Sequence, residues 1–510
     1  MGERTSAVQV AKGASYLWMQ TLTTTMIQAV AFAFIARLIS TSQMGLLAIL
    51  ALILGVAQLA APLALPSAVT RFVAEELAKG RRESAASVFY QSTKISVSLS
   101  AIMAVVPLLF ASQLSDALSA GPMIFQLLAV DLFLTAGLVQ TLASVLIGAQ
   151  RFRAYSVASI SYAAIRQVLI VALLVLFHDF SWLVYAWVIS DLIYVFMLTV
   201  PVVRALGPPK FEFSLRRLLG FSLPLMPGNS VNFAYNWYDR ALLVPYTSLA
   251  ELGIYNATMT AFGVLSAIPG GLTRTLYPAY AEIQSVKGRA GLEIAIRVAS
   301  RYVSFIAVPL ALGLFATAKP ALALFVGERY EYGSTALQIL TIVFAFTLLG
   351  NSFGNILLLL GETATASGVS IATVTASLVT ALLLLPSFDI NGAAASRGVG
   401  MLVGFALTLT LARRKIRLSI DVEAFWKSLA ASTGMVVIVW LAQYVSYSKF
   451  LLPIYALLGG FTYLAGLRLL KAIHPADIQL AQQFVGKRYR SAINLLSRIL
   501  QIESSQRNRH

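Results

Sequence analysis

Apolar runs of about twenty residues alternate with short polar segments along nearly the whole chain, and that length suits a helix crossing the hydrocarbon core of a bilayer. Fourteen such runs can be marked, at roughly 15–38, 45–66, 86–110, 123–147, 156–177, 182–203, 220–246, 252–272, 301–324, 335–359, 366–386, 393–412, 428–446 and 451–470. The first, preceded by Arg4 and Lys12, is too long for a signal-peptide core and reads as an uncleaved span. Pro224, Pro227 and the run Pro269-Gly270-Gly271 interrupt the seventh and eighth. Proline removes a backbone donor and kinks a helix, so these residues, with Pro62 and Pro66 in the second span, mark either helices that bend as a cleft alternates or passive packing irregularities. The tail from Pro475 to Leu500 is amphipathic and basic, as expected of a segment on the membrane surface.

The pattern repeats. Gly45, Gly55-Val56, Pro62, Ala74-Glu75 and Lys79-Gly80-Arg81 recur as Gly253, Gly263-Val264, Pro269, Ala281-Glu282 and Lys287-Gly288-Arg289, at an offset of 208 residues that slips to 207 in the middle. Asp179 and Asp389, Arg204 and Arg414, and Gly148 and Gly361 keep nearly the same spacing. A period that survives this far indicates a duplicated structural unit. Each copy holds an even number of spans, so both share one orientation, and their symmetry axis runs along the membrane normal. The predicted fold is therefore an all-α polytopic membrane protein. It has two parallel six-helix lobes, 1–208 and 209–415, with a cleft between them and a linker at Arg204–Leu218. Two further helices follow at 416–470, and a basic tail at 471–510.

Composition agrees with this pattern: 58% of residues are hydrophobic and 12% charged, against about 25% charged in a soluble domain. The net charge of +17 at first suggests a nucleic-acid partner. Its distribution argues otherwise. With the amino terminus inside, 30 of the 38 basic residues fall in inner segments and 6 in outer loops or outer helix ends. That asymmetry places both termini in the cytoplasm of a cell-membrane protein and makes the charge mainly topogenic. No cysteine is present, and His178, His474 and His510 are scattered without metal-ligand spacing. Phosphate loops, nucleophile elbows and HExxH motifs are absent, and no loop is long enough for a catalytic domain. The longest internal loop, between spans eight and nine, has roughly 28 residues. The sequence gives no reason to expect an enzyme, a cofactor or a metal.

Ionisable residues at membrane depth carry the candidate chemistry, because a charge there is costly. Arg166 and Asp191 lie about ten and twelve residues from the inner ends of spans five and six. At about 1.5 Å per residue both reach ~15–18 Å depth on antiparallel neighbours. They form either a cavity-lining cation with its partner or a structural ion pair. Lys94 and Asp131 differ in depth, which leaves Lys94 as a further cavity cation. In span seven, Asn229, Asn232 and Asn236 recur at helical spacing and form one amide stripe, followed by Trp237, Tyr238, Asp239 and Arg240. Amides that hydrogen-bond hydroxyls and rings that stack on sugar faces suit a glycan; interhelical hydrogen bonding is the structural reading. Asp239-Arg240 is either a site element or a self-paired cap, and Arg37 either its counterpart or a snorkelling flank residue.

Several short motifs resemble polysaccharide-transporter flippases. They include Ala36-Arg37-Leu38 with Gly45, Arg71-Phe72-Val73-Ala74-Glu75 with Gly80-Arg81, and Phe221-Ser222-Leu223-Pro224. Asp239-Arg240, Gly253-Ile254-Tyr255-Asn256-Ala257, Tyr277-Pro278, Phe325-Val326-Gly327-Glu328-Arg329-Tyr330 and Ile390-Asn391-Gly392-Ala393-Ala394 continue the likeness across about residues 10 to 470. The family belongs to the multidrug/oligosaccharidyl-lipid/polysaccharide exporter superfamily. The resemblance implies a flippase for a polyprenyl- or dolichyl-phosphate-linked oligosaccharide, acting by alternating access while the lipid tail stays in the bilayer. It also implies that cavity cations, here Arg166, Lys94, Arg37 and Arg240, receive phosphate or acidic sugars. Expected partners are the lipid-linked glycan, membrane lipid, H+ or Na+ as coupling ion and other polysaccharide assembly proteins, with no nucleic acid. Two alternatives stand beside it: a cation-coupled multidrug exporter relying on Asp131 and Asp191, and a non-transporting component of a synthase complex.

Overall fold

The computed structural model describes residues 2–209 and 213–472, with side chains except at 2–14, 268–269, 271–275 and 351. The tail predicted at Pro475–Leu500 lies outside the described residues. Every regular element among the described residues is helical. The chain forms two compact units, Met1–Ala257 and Thr258–His510.

The first unit contains α1 (Gly2–Leu38), α2 (Thr41–Ala60), α3 (Leu65–Ala78), α4 (Arg82–Leu109), α5 (Ala111–Leu118) and α6 (Pro122–Leu132). A π-helical turn, Phe133–Val139, leads into α7 (Gln140–Gly148), followed by α8 (Phe152–Phe177) and α9 (Ser181–Leu206). It closes with α10 (Leu215–Ser222), α11 (Met226–Leu243) and the beginning of α12 (Leu249–Ala316). A capping box of Ser40 and Gln43 starts α2 and satisfies the backbone N–H groups of both residues where the chain reverses after α1. The core joins α3, α4, α7, α8 and α9 through Val69, Phe72, Val88, Leu146, Ala158 and Leu198. Leu218 of α10 belongs to the same core, and α10 is further fastened to α3 by Arg217, whose Nη2 lies 2.9 and 3.0 Å from the two Glu75 oxygens. Lys79 and Arg217 together hold the Glu75 carboxyl below the usual carboxylate range.

The second unit contains the rest of α12, then α13 (Ala318–Phe325), α14 (Ser334–Thr347), α15 (Ile356–Leu359), α16 (Thr363–Arg413), α17 (Val422–Val445) and α18 (Leu452–Leu469). Val308, Leu312, Met435, Val439 and Tyr463 form the core against which α17 and α18 pack.

Eleven helical stretches among the described residues are long and apolar enough to cross a membrane. Fourteen were expected, and the difference lies at three places. The predicted spans 366–386 and 393–412 are both in α16, which breaks at Asp389 (φ 46, ψ −127). The predicted span 220–246 is divided by a 3-10 turn at Leu223–Leu225 and enriched in asparagine. The predicted span 252–272 falls in α12, near the side chains left undescribed. The break at Asp389 puts a β-carbon in a backbone conformation that favours glycine. Asp389→Gly is accordingly expected to stabilise the protein by about 1 kcal/mol; an unchanged or lower melting midpoint would contradict that account.

The 28-residue loop expected after span eight is instead helical within α12, interrupted at Gly288 (φ 64, ψ −162). Its Ala, Glu, Lys and Arg residues favour helix, and no proline follows Pro278 before Pro309. Gly80, the repeat equivalent of Gly288, also has positive φ (73°), where it ends α3 with Arg81 N–H donating to Glu76 O at 2.9 Å.

A second equivalent pair lies where α2 crosses the beginning of α12. A β-carbon on Gly45 would stand 1.9 Å from Leu249 O, and one on Gly253 would stand 2.0 Å from Thr41 O. Thr41 and Leu249 are themselves 208 residues apart, so the contact is reciprocal under the repeat. Such reciprocity is the mark of an isologous, two-fold contact.

Candidate functional site

The first unit lines an open cavity of about 590 Å³, within the roughly 300–1,000 Å³ of typical ligand pockets. Its polar wall comes chiefly from α11. Asn229, Asn232 and Asn236 all line it, as their spacing of three and four places them on one helical face. Pro224 and Pro227 sit at the entries of the 3-10 turn and α11, where a missing N–H costs little, so the helix restarts with its amide face intact. Asn236 Nδ2 donates to Asn232 O at 2.8 Å, which holds part of the stripe in place.

The end of α2, the turn that follows it and the start of α3 supply another part of the wall through Gln58, Pro62, Ala64 and Pro66. Between these helices, Leu63 and Ala64 both have left-handed backbone, φ 48 and 55. Two consecutive β-carbons in that region store strain in the cavity wall. From α7, Gln140 lines the cavity directly after the π-helical turn and donates to Gln58 O at 3.1 Å. A π turn shifts the helical register, and here it sets the azimuth of Gln140.

Arg166 reaches the cavity from α8 with its side chain 19% exposed. Its Nη1 lies 3.4 Å from Asp191 Oδ2 and also donates to the Tyr162 hydroxyl. The guanidinium stands 4.8 Å from the centroid of Trp187, another lining residue. Behind it, Tyr162 stacks on Tyr194 at 4.1 Å, and the Tyr194 hydroxyl pairs with Ser159 at 2.8 Å. Asp191 and Asp131 are fully buried, and Asp131 interacts electrostatically with both Asp191 and Arg166. Neither oxygen of Asp131, nor Asp191 Oδ1, has a hydrogen-bond partner among the described residues. Depth along the helices had paired Arg166 with Asp191 and left Asp131 aside; packing of α6 against α9 brings all three together.

The remaining candidates are placed differently. Asp239 is buried away from the cavity lining, accepting from the Tyr255 hydroxyl at 2.8 Å and from the Arg240 backbone N–H at 2.8 Å. Arg240 donates to Asn236 O at 2.9 Å and covers the ring of Trp237, which does line the cavity. Arg37, in the last turn of α1, and Lys94, on α4, are exposed and outside the lining. Sequence reading had passed over Trp187, Gln58 and Gln140. Trp187 lies four residues before Asp191, on the same helical face, which marks it; Gln58 and Gln140 have no second amide at helical spacing, so no stripe marked them.

A family model described as "Polysaccharide biosynthesis protein" matches residues 34–335, which include every residue of the cavity lining. Over 197 residues the chain is 26% identical to the succinoglycan biosynthesis transport protein ExoT of Rhizobium meliloti (strain 1021), an alignment covering 35% of this chain and 39% of that relative. Lipid II flippase MurJ, in an inward closed conformation, superposes with a TM-score of 0.69 at 13% identity, covering 88% of this chain and 97% of MurJ. An inward-facing multidrug resistance MATE family transporter of the MOP superfamily gives a TM-score of 0.60 at 14% identity, covering 77% and 94%. At such identities the structural likeness concerns the fold. With the family match running through more than half of its length, the chain belongs to the polysaccharide biosynthesis protein family and is a multi-pass helical membrane protein of the MurJ and MATE fold.

Proposed function

We propose that the protein is a flippase that moves a lipid-linked oligosaccharide or polysaccharide precursor, on a polyprenyl or dolichyl phosphate, across the cell membrane by alternating access. The observation that carries this reading is the cavity itself. Arg166 and all three asparagines of the α11 stripe line one space, with Trp187 and Trp237 beside them. Hydrogen-bonding amides and aromatic faces suit a sugar headgroup, and a component that merely held a synthase together would have no use for such a wall. The family, and a relative described as a transport protein of succinoglycan biosynthesis, support the same direction. The names of the relatives and fold neighbours are those of transporters, which supports a non-enzymatic role.

In this proposal the lobes are residues 1–208 and 209–415, with 416–470 and 471–510 as additions, and both termini are cytoplasmic, as the loop charge supports. The unpartnered oxygens of Asp131 and Asp191 support H+ or Na+ as the coupling ion. Other polysaccharide assembly proteins are the proposed neighbours.

The test is loss of the gene product in the producing cell, with lipid extracts analysed by mass spectrometry. A flippase predicts that surface glycan falls and that a complete lipid-linked intermediate accumulates. Loss of surface glycan with only incomplete intermediates would instead indicate a role in synthesis and overturn the proposal.

A further inference from the structure

Two indoles from different helices line the cavity, Trp187 of α9 and Trp237 of α11. Each carries a guanidinium over its ring, Arg166 on Trp187 and Arg240 on Trp237, both 4.8 Å from the ring centroid. Each guanidinium also belongs to a residue with a buried aspartate beside it. Arg166 pairs with Asp191 at 3.4 Å, and Asp239, adjacent in the chain, binds the backbone N–H of Arg240 at 2.8 Å. Neither aspartate lines the cavity.

This arrangement changes what the cavity offers a ligand. Among the described residues, Arg166 is the only charged one in the lining, and its charge is balanced from behind by Asp191. Its Nη1 is directed to Tyr162 and Asp191. The rest of the polar lining is uncharged: Gln58, Gln140 and the three asparagines contribute amide donors and acceptors, apart from the Ser67 hydroxyl. A polyanion entering this space would lose hydration and meet a lining guanidinium already paired with Asp191. A sugar ring would present C–H groups to an indole face and hydroxyl or acetamido groups to the amides, losing little. The cations meanwhile hold the electron-rich indole faces in place.

We propose that the cavity recognises uncharged sugar units, with Trp187 and Trp237 as two stacking platforms, and that Arg166 and Arg240 position those platforms instead of binding the phosphate. The proposal rests on the flippase reading above for its substrate and departs from the expectation that the cavity arginines receive anionic groups. Trp187 and Trp237 are then specificity-determining residues, and the two arginines are positioning residues.

The experiment uses the full-length protein in proteoliposomes with lipid-linked oligosaccharide extracted from the producing cell. Competitors are the oligosaccharide released from that lipid by mild acid, which carries no phosphate, and inorganic pyrophosphate. Tryptophan fluorescence of the same protein in detergent provides a binding readout independent of transport. The released oligosaccharide is expected to inhibit transport and quench fluorescence, whereas pyrophosphate does neither. Trp187→Ala and Trp237→Ala each weaken oligosaccharide binding about ten-fold, with Trp187→Phe recovering most of the loss. The double variant Arg166→Gln with Asp191→Asn, which removes the guanidinium but leaves an amide to cover the indole, weakens oligosaccharide binding about three-fold without abolishing it.

Competition by pyrophosphate and not by the oligosaccharide would overturn the proposal. So would a double variant that folds but loses binding altogether, or alanine variants that bind as the parent does. Absence of transport in the parent would overturn the flippase reading, and the fluorescence titration would still decide how the cavity recognises its ligand.

Discussion

Arg166→Ala is expected to destabilise the protein by about 3–5 kcal/mol, the range found when one partner of a buried pair is removed. Asp191 is fully buried, and Arg166 supplies the only hydrogen bond to its Oδ2 among the described residues. Asp131 sits in the same buried cluster, so losing the guanidinium leaves Asp191 beside a second carboxyl group without a cation. The Trp187 ring and the Tyr162 hydroxyl lose their partner as well. A thermal-shift series in detergent, followed by size-exclusion chromatography, would measure the loss. The mechanism is checked by adding Asp191→Asn, which removes the orphaned charge and is expected to restore a substantial part of the midpoint. If the double variant is no more stable than Arg166→Ala, the pair is not the source of the effect.

Gly253→Val should be at least as damaging. A β-carbon at this position meets two backbone atoms of α2, Thr41 O at 2.0 Å and Gly45 N at 2.8 Å. Neither is the tip of a side chain that can swing away, so the helices must separate, a cost of ~3 kcal/mol or more for overpacking of this kind. Gly45→Val attacks the reciprocal contact and should produce a loss of similar size, because Leu249 O stands in the corresponding place. Gly434→Ala in α17 is the control, since a β-carbon there meets no atom within 4 Å. Normal expression and melting of Gly253→Val would show that α2 and α12 do not cross at these glycines.

Much of this architecture was legible beforehand. The glycines that cross at α2 and α12, and those with positive φ at positions 80 and 288, were the landmarks of the sequence repeat. They stand out because each has a local requirement that other residues cannot meet, either close backbone approach or left-handed backbone. The asparagine stripe was legible for a similar reason: three polar side chains on one face of a helix need a polar space. Lys94 shows where such reading ends. Its depth suggested a cavity cation, and it is exposed but not among the residues that line the cavity of the first unit. The continuous helix of α12 was likewise hidden, because charge and polarity resemble a loop when helix propensity is left out.

By itself, the sequence determined that this is a helical membrane protein, and it offered a duplicated plan and a polar stripe on α11 as expectations. Those conclusions depend on run length, spacing and position along a helix, quantities that a linear chain carries. Only the tertiary structure decided that Arg166, Trp187, Gln58 and Gln140 share a cavity with the stripe, while Asp131 joins Asp191 behind its wall. Depth follows from counting residues, but the direction a side chain faces and the neighbour it meets follow from how helices rotate and pack.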